Sequence, residues 1–194
     1  MNKYLIVYCH PWNGSFHHDI LKQIIKNIKD RGSSYELIDL YHDCFDPAYD
    51  TEDLKLYQSG ETGDPLVKKY VKLLQYVDHI VFVTPIWWND VPAILKGFLN
   101  KVIREIRKIS QMVDDNDFNK RIIKIKKAEI FTTSNSPNIY YRVFNRNGIK
   151  NVLVNQTFKK LGIKRVRWLN FGNITHSKKS QREKYLTKIL ELKL

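Results

Sequence analysis

The sequence predicts an α/β fold built on a parallel sheet, and three observations lead to this prediction. Residues 4–8 and 80–84 are apolar runs without polar alternation, as expected of strands buried on both faces of a parallel sheet. Each run is followed by a loop and then by apolar residues at helical spacing. The chain has 194 residues, 43% of them hydrophobic, which is enough for one domain with a substantial core.

The order of the remaining elements supports the same fold. We predict five strands, at residues 3–9, 35–40, 80–84, 128–133 and 166–171. We predict helices at residues 17–29, at 65–76, after Pro92 along an apolar stripe that reaches Ile106, after Gly148 as far as Phe158, and at 181–194. The acidic stretch 43–63 is expected to be a long, turn-rich connection.

The third strand leads into a short loop with clear end signals. Pro85 ends the strand because its nitrogen carries no hydrogen for the ladder. Asp90 followed by Pro92 predicts a capping side chain and a proline in the first helical turn. The stretch is therefore interpreted as strand, aromatic loop and helix.

That aromatic loop is a candidate binding site. It consists of Pro85, Ile86, Trp87, Trp88 and Asn89. Ligands of open α/β sheets sit at the carboxyl ends of the strands, and two tryptophans there offer a flat apolar wall for a planar heterocycle. The alternative is that both tryptophans are core or interface aromatics.

The loop after the first strand is a candidate phosphate site. It reads HPWNGSF, and a helix N-terminus follows it directly, where free N–H groups favour an anion. Gly14 permits a tight turn, Asn13 and Ser15 supply short polar groups, and His10 supplies a donor or a positive charge. The loop is neither GxGxxG nor a Walker loop. A capping or surface role is the alternative for the histidines in and after this loop.

Charge is distributed unevenly along the chain. The total is +13, but residues 1–100 carry a net −3 and residues 101–194 a net +16. A basic half attracts anions such as a dinucleotide phosphate, nucleic acid or an anionic membrane surface; a solvated basic face is the alternative. No helix-turn-helix, zinc-finger or RNP signature is present, so no specific nucleic-acid partner is expected.

The sequence also limits which cellular compartment and which metal chemistry we expect. The apolar run at the N-terminus breaks at His10-Pro11, too early for a signal or membrane segment, so we expect a cytoplasmic protein without membrane insertion. Cys9 and Cys44 form neither a disulfide framework nor a metal spacing. Both are expected to be free thiols, and no metal site is predicted.

Together, three motifs resemble a known family. The strand followed by HPWNGSFHH, the later TPIWWNDVPAILKGFLNKV and the pair Thr132-Thr133 are similar to the flavodoxin-like NAD(P)H:quinone oxidoreductases, of DT-diaphorase and modulator-of-drug-activity type. The resemblance covers residues 1–103 well and the remainder loosely. It implies a single flavodoxin-like domain over 1–194, with a doubly wound five-stranded parallel sheet and helices on both faces.

The resemblance also implies the residues that bind the cofactor. It assigns His10, Ser15, Phe16 and His17 to the phosphate and ribityl chain of a flavin. It assigns the loop Pro85–Asn89 to the isoalloxazine ring, and Thr132, Thr133, Ser134 and Asn135 to the pyrimidine edge of that ring. The family has Thr-Thr-Gly-Gly at this last turn, so Ser134 and Asn135 stand where it has glycines.

The resemblance further implies the chemistry. Tyr140 occupies the position of the family's active-site tyrosine, while Arg146 lies near the place of its histidine and either faces the ring or is a solvent-facing arginine. The implied function is transfer of a hydride from NADPH or NADH, through FAD or alternatively FMN, to quinones or similar acceptors. The implied assembly is a homodimer, with Tyr49 and Tyr57 as interface candidates. The alternatives are a non-catalytic flavin-binding electron-transfer or regulatory subunit, and a nucleic-acid-binding or flavin-free structural protein.

Overall fold

A five-stranded parallel sheet forms the centre of the computed structural model, which describes residues 2–57, 59, 61–105, 125–159 and 161–194. The strands are β1 (Lys3–Tyr8), β2 (Ser34–Asp39), β3 (His79–Pro85), β4 (Lys127–Thr133) and β5 (Arg165–Phe171). Their order is β2-β1-β3-β4-β5, and every neighbouring pair is parallel. All five predicted strands are confirmed, with ends that differ by a residue or two.

The strand order places a topological switch point between β1 and β3. From β1 the chain crosses to β2 on one side of the sheet and then returns past β1 to β3 on the other side. The loops that leave β1 and β3 therefore diverge and leave a crevice at their carboxyl ends, which is where ligands of doubly wound sheets bind. Both candidate loops of the sequence lie at this crevice.

Helices connect the strands. The α-helices are α1 (Phe16–Asp30), α2 (Thr51–Leu56), α3 (Pro65–Gln75), α4 (Ala93–Phe98), α5 (Asn138–Val143) and α6 (Lys179–Glu191). Two π-helical segments occur at Leu99–Ile103, continuing α4, and at Lys150–Phe158, and one 3₁₀ turn occurs at Ile174–His176. Within the described residues no helix is long and apolar enough to cross a membrane.

Local sequence explains where α1 and α3 begin and end. The Ser15 side chain accepts a hydrogen bond from the His18 N–H at 3.3 Å and caps α1. Gly32 follows the end of α1 with φ 68°, a left-handed conformation that glycine adopts without strain. Asp64 caps α3 ahead of Pro65, the first residue of that helix.

The sheet is covered on both faces, as the resemblance implied. On one face, Leu5, Val7 and Phe82 pack with residues of α3, α4 and the second π-helix, including the fully buried Phe158. On the other face, Ile6 and other strand residues pack with α1 and α6. Strands buried on both faces explain the unbroken apolar runs in the sequence.

Several local predictions were wrong. Asp90 does not cap a helix: α4 begins at Ala93 with Pro92 as its N-cap, and the Asp90 carboxylate accepts from the Val91 N–H at 2.7 Å and pairs with Lys96 at 3.1 Å. The stretch 43–63 contains the short helix α2, and α5 was not predicted. The helix predicted after Gly148 is confirmed, and its residues Lys150–Phe158 are π-helical, which periodicity does not distinguish from α. Ile106, the predicted end of the apolar stripe after Pro92, lies outside the described residues.

Candidate functional site

Three loops meet at the carboxyl ends of β1, β3 and β4. The loop after β3 is fixed to β4 by a 2.9 Å hydrogen bond from the Ile86 N–H to the Thr133 carbonyl. It approaches the loop after β1 where the Trp87 and His10 rings meet edge to face at 6.1 Å. α1 reaches β4 through a 3.1 Å contact between His17 Nε2 and Thr133 Oγ1. The structure thus brings together the three motifs that carry the family resemblance.

A pair of neutral histidines lies at the centre of this junction. The rings of His10 and His17 stack at 5.0 Å with 16° between their planes. Burial, and secondarily the neighbouring His10, lowers the pKa of His17 to about 3. Burial also lowers the pKa of His10. Two stacked imidazoles that resist protonation place no positive charge here at neutral pH, so of the two roles suggested for His10 the structure favours the donor.

The hydrogen bonds of His10 identify the ring nitrogen that carries its proton. Its Nδ1 accepts from the Trp12 N–H at 3.1 Å, which leaves the proton of the neutral ring on Nε2. The Trp12 ring lies over Gly14, where an added Cβ would stand 2.5 Å from the indole. An added Cβ would therefore have to displace the exposed Trp12 indole. Asn13, the other polar residue predicted here, is exposed.

Two other residues of the first motif are turned towards the protein. Ser15 is buried, where it caps α1 and lies 3.5 Å from the Tyr8 hydroxyl. Phe16 packs its ring against Phe171 at 5.3 Å and Tyr185 at 6.3 Å, within the core on the α1 face. Because the Phe16 ring is occupied in that core, its backbone is the part available to a ligand at the helix start.

The aromatic loop after β3 contains a strained tight turn. Trp87 and Asp90 exchange two backbone hydrogen bonds, of 2.8 and 3.0 Å, around Trp88 and Asn89. Both central residues have positive φ, 50° for Trp88 and 64° for Asn89. That is the pattern of a type I′ turn. Asparagine adopts this conformation readily, whereas a bulky tryptophan is strained in it. Such strain is commonest at functional sites.

The turn separates the five predicted residues of this loop into two groups. Pro85 and Ile86 are buried beneath it, whereas Trp87, Trp88 and Asn89 lie at the surface. Trp87 is 42% exposed and leans on His10, and the Trp88 indole is fully exposed. The Trp87 and Trp88 side chains thus present two large aromatic surfaces beside the crevice, and the described residues give them little cover.

Side-chain hydrogen bonds hold the turn after β4, where the family has glycines. The Ser134 hydroxyl donates to the Ser136 carbonyl at 2.8 Å, and Asn170 Nδ2 donates to the Ser134 oxygen at 2.9 Å. Asn135 accepts from the Thr175 hydroxyl at 2.6 Å. Sequence reasoning did not find Asn170, because it lies 36 residues away in β5 and no local pattern marks it.

The two threonines before this turn point to opposite faces of the sheet, as the alternation of a strand requires. Thr133 faces the histidine pair. Thr132 accepts from the Trp168 indole N–H at 2.8 Å and donates to Asn170 Oδ1 at 2.8 Å. Of the two threonines, only Thr133 contacts the crevice side of the sheet, and it does so through the His17 side chain.

Tyr140 and Arg146 lie on and just after α5. Tyr140 is half-buried, stacks on Phe144 at 6.0 Å and meets Tyr141 edge to face at 5.4 Å. Arg146 is exposed and has a positive φ of 43°. The Tyr140 N–H donates to the Pro137 carbonyl at 3.0 Å, but among the described residues no side-chain hydrogen bond or ring pairing joins either residue to the three loops.

Two cavities of about 490 Å³ are lined by residues outside the three loops. One lies beside Tyr49 and Tyr57, the predicted interface candidates, and is also lined by Arg104. The other follows the edge of β5. In the described part of the chain, no group of three or more His, Cys, Asp or Glu side chains could hold a metal ion. Cys9 and Cys44 are free thiols, as predicted, the first buried and the second exposed.

Comparison with known families agrees with the sheet order. A family model described as "flavodoxin-like fold" matches residues 2–192. The chain belongs to this flavodoxin-like family.

Relatives of this flavodoxin-like chain are named as oxidoreductases. An "uncharacterized NAD(P)H oxidoreductase" of Haemophilus influenzae is 29% identical over 173 residues, 88% of this chain and 84% of its own. Mammalian proteins named ribosyldihydronicotinamide dehydrogenase [quinone] match over about half of their length, as in mouse, with 29% identity over 117 residues, 52% of this chain and 51% of that protein.

Solved structures repeat the fold. The NAD(P)H:quinone oxidoreductase of Methanothermobacter marburgensis superposes with a TM-score of 0.81 at 23% identity, over 98% of this chain and 94% of that one. The FMN-dependent NADH-azoreductase of Bacillus anthracis, in complex with FMN, has a TM-score of 0.71 at 15% identity, over 98% and 97% of the two chains. At these identities both structures bear on the fold alone.

Proposed function

We propose that this flavodoxin-like chain is a flavin-dependent NAD(P)H oxidoreductase that passes a hydride to quinones or similar acceptors. The observation that carries the proposal is the junction at the topological switch point. There a helix N-terminus, the neutral His10–His17 pair and the exposed Trp87 and Trp88 surround one crevice. The names of the relatives support the same reaction class.

The residues present fit a flavin. α1 is 15 residues long, and its first turn offers backbone N–H groups and the positive end of the helix dipole to a phosphate. His10 Nε2–H adds a neutral donor beside it. Trp87 and Trp88 offer apolar surface to a planar ring, and the exposed Asn135 of the turn after β4 offers a polar side chain to its pyrimidine edge. A bound flavin would supply the chemistry, since it would accept a hydride from the nicotinamide and pass it to the acceptor.

The chain's own contribution in this proposal is placement. Burial keeps His17 neutral, so its contact with Thr133 holds α1 and β4 together at physiological pH without introducing charge. The strained turn fixes the backbone of Trp88 before any ligand arrives, which removes the backbone part of the ordering cost of binding. Tyr140 is proposed as the catalytic tyrosine beside the nicotinamide.

Finer assignments belong to the same proposal. We assign FAD as the cofactor, with FMN as the alternative, and NADPH or NADH as the co-substrate. We assign a homodimer, because Trp12, Trp88, Ile139, Val143 and Phe144 are exposed apolar residues on loops and a helix that follow the carboxyl ends of the strands. A cytoplasmic location completes the assignment.

The visible absorption spectrum of the purified protein tests the proposal, with the released flavin identified by chromatography. We expect a flavin spectrum that bleaches when NADPH or NADH is added anaerobically and returns when a quinone follows. A flavin that neither nucleotide bleaches would favour the non-catalytic electron-transfer or regulatory alternative. A colourless protein that takes up neither FAD nor FMN would refute the proposal.

A pair of variants tests the placement of the ring. Trp88→Ala is expected to weaken flavin binding more than Trp168→Ala does, because Trp88 is exposed beside the crevice and Trp168 is bonded to Thr132 on the opposite face of β4. Flavin titration followed by fluorescence measures both affinities. Equal affinities in the two variants would remove the reason for placing Trp88 at the ring.

A further inference from the structure

A groove of about 490 Å³ follows the outer edge of β5, and neither the histidine pair nor the exposed tryptophans of the crevice line it. β5 pairs with β4 along one edge, and no strand among the described residues pairs with the other. The floor of the groove is the strand itself, from Val166 to Asn170. Its walls come from α5 and the segment after it, the second π-helix and α6, represented by Arg142, Asn147, Lys150 and Tyr185.

The backbone of β5 offers hydrogen-bonding groups to this groove. The Phe171 carbonyl accepts from the Ser134 N–H, so it points towards β4. Because successive residues of a strand point their backbone groups to opposite edges, those of Val166, Trp168 and Asn170 point outwards. In agreement, Asn138 reaches the Asn170 carbonyl from the groove side at 3.2 Å. The outer edge at Val166 and Trp168 is thus a template for strand pairing.

The side chains around the groove are mostly donors and cations. Four cationic residues line it and no acidic residue does: Arg142, Lys150, Arg167 and Lys188. Arg167 is paired with the buried Glu129. The Tyr185 hydroxyl is buried without a hydrogen-bond partner among the described residues, and burial raises its pKa, so it remains a neutral donor. Such a lining favours a ligand rich in carbonyl and carboxylate oxygens.

We propose that the outer edge of β5 binds an acidic, extended peptide segment of a partner protein, which adds to the sheet as a further strand. The five floor residues span about 13 Å at about 3.3 Å per residue, which suits a peptide strand better than a small anion. Backbone pairing with Val166 and Trp168 supplies the geometry, and Arg142, Lys150 and Lys188 select acidic side chains. The proposal does not depend on the flavin.

Fluorescence anisotropy with a labelled heptapeptide, Glu-Val-Glu-Val-Glu-Val-Glu, tests this binding. We expect saturable binding that weakens as salt is raised, and at least tenfold weaker binding to the double variant Arg142→Glu/Lys150→Glu. The control is Lys68→Glu/Lys72→Glu, which makes the same charge change on exposed residues of α3 and should bind as the unaltered protein does. Equal weakening in both double variants, or no binding at all, would overturn the proposal.

N-methylated peptides separate strand addition from plain charge attraction. Methylation of alternate amides blocks hydrogen bonding along one edge of a peptide strand and leaves its charge unchanged. One of the two methylated peptides, with either its valine or its glutamate amides methylated, should bind at least tenfold more weakly. Which of the two does so depends on the edge of the peptide that pairs with β5. Full binding by both methylated peptides would refute strand addition. Tighter binding of a 15-nucleotide single strand, lost in Arg142→Glu/Lys150→Glu, would instead identify a nucleic-acid surface.

Discussion

His17 is the residue on which the candidate site depends most, since it joins α1 to β4 while stacked on a second histidine. It is buried, in contact with Thr133, and too weak a base to be protonated at neutral pH. A charged imidazole here would be desolvated and would lie beside His10, which also resists protonation. The site is therefore built for neutral histidines.

The low pKa of His17 predicts acid-sensitive stability. The folded value is about 3 and the unfolded value 6.5, so below pH 6.5 the unfolded chain takes up a proton that the folded chain refuses. Stability contributed by neutral His17 is complete above pH 6.5 and declines as pH falls towards 3, by about 2 kcal/mol at pH 5. Urea unfolding from pH 7 to pH 4 measures this slope.

His17→Gln should flatten that slope, because glutamine keeps a polar group near Thr133 and does not titrate. The control is His42→Gln, which alters an exposed histidine outside the site. A steep decline below pH 6.5 that persists unchanged in His17→Gln would contradict the assignment of the slope to this residue.

Among the elements, the turn after β3 contains a strained residue, Trp88, and presents its aromatic side chain at the surface. A left-handed tryptophan costs about 1–2 kcal/mol relative to an unstrained residue, and the exposed Trp88 indole recovers little through packing. Trp88→Gly is therefore expected to raise the free energy of unfolding by up to about 1 kcal/mol, since glycine loses part of the gain as unfolded-state entropy. The same variant should bind flavin more weakly.

Denaturant unfolding and flavin titration on the same preparation measure both effects of Trp88→Gly. Trp12→Gly is the control, because it removes an exposed indole from a neighbouring loop where no left-handed backbone is relieved. Destabilisation by Trp88→Gly as large as that by Trp12→Gly would show that the turn is not strained.

One side-chain amide at the end of β5 bonds to three neighbouring residues. Asn170 donates to Ser134 and Asn138 and accepts from Thr132, so it connects the turn that stands in place of the family's two glycines to α5. Asn170→Ala leaves these groups without their partner and is expected to cost about 1–3 kcal/mol of stability. It should also weaken flavin binding if the turn at Ser134 contacts the ring, whereas Asn155→Ala, on an exposed helical pair with Asn151, should do neither. Thermal unfolding and flavin titration check both statements.

At the scale of the whole molecule, the basic second half is only partly a solvated surface. Lys101 is buried and pairs with Asp53 at 2.8 Å, and Lys127 pairs with the buried Glu129 at 3.2 Å. Arg142, Lys150 and Lys188 instead line one groove beside β5. Some cations of the second half thus form buried pairs, and others line a single edge of the sheet.

The exposed apolar residues that follow the strand ends predict a dimer that one charge would disrupt. Phe144 is 76% exposed on the segment after α5, and a stable interface of standard size buries about 800 Å² per partner. Phe144→Glu is expected to shift the protein from dimer to monomer in sedimentation equilibrium, because an unpaired carboxylate would be desolvated in the interface. Tyr76→Glu is the matched control, 72% exposed just after α3. A monomeric unaltered protein would contradict the homodimer.

The parallel sheet could be predicted from the sequence, as could the covering of both its faces and the position of the two candidate loops. Buried strands and helix starts leave local patterns of hydrophobicity and capping residues, which a short stretch of sequence records. The folded structure was needed to show that His17 is buried against Thr133, that Asn170 supports the Ser134 turn and that four cations of the second half line one groove beside β5. These residues are far apart in the chain, so only folding brings them together, and their energies depend on burial that no local window of sequence records. The left-handed turn at Trp88 is local, but the sequence does not indicate it, because a bulky tryptophan disfavours that conformation.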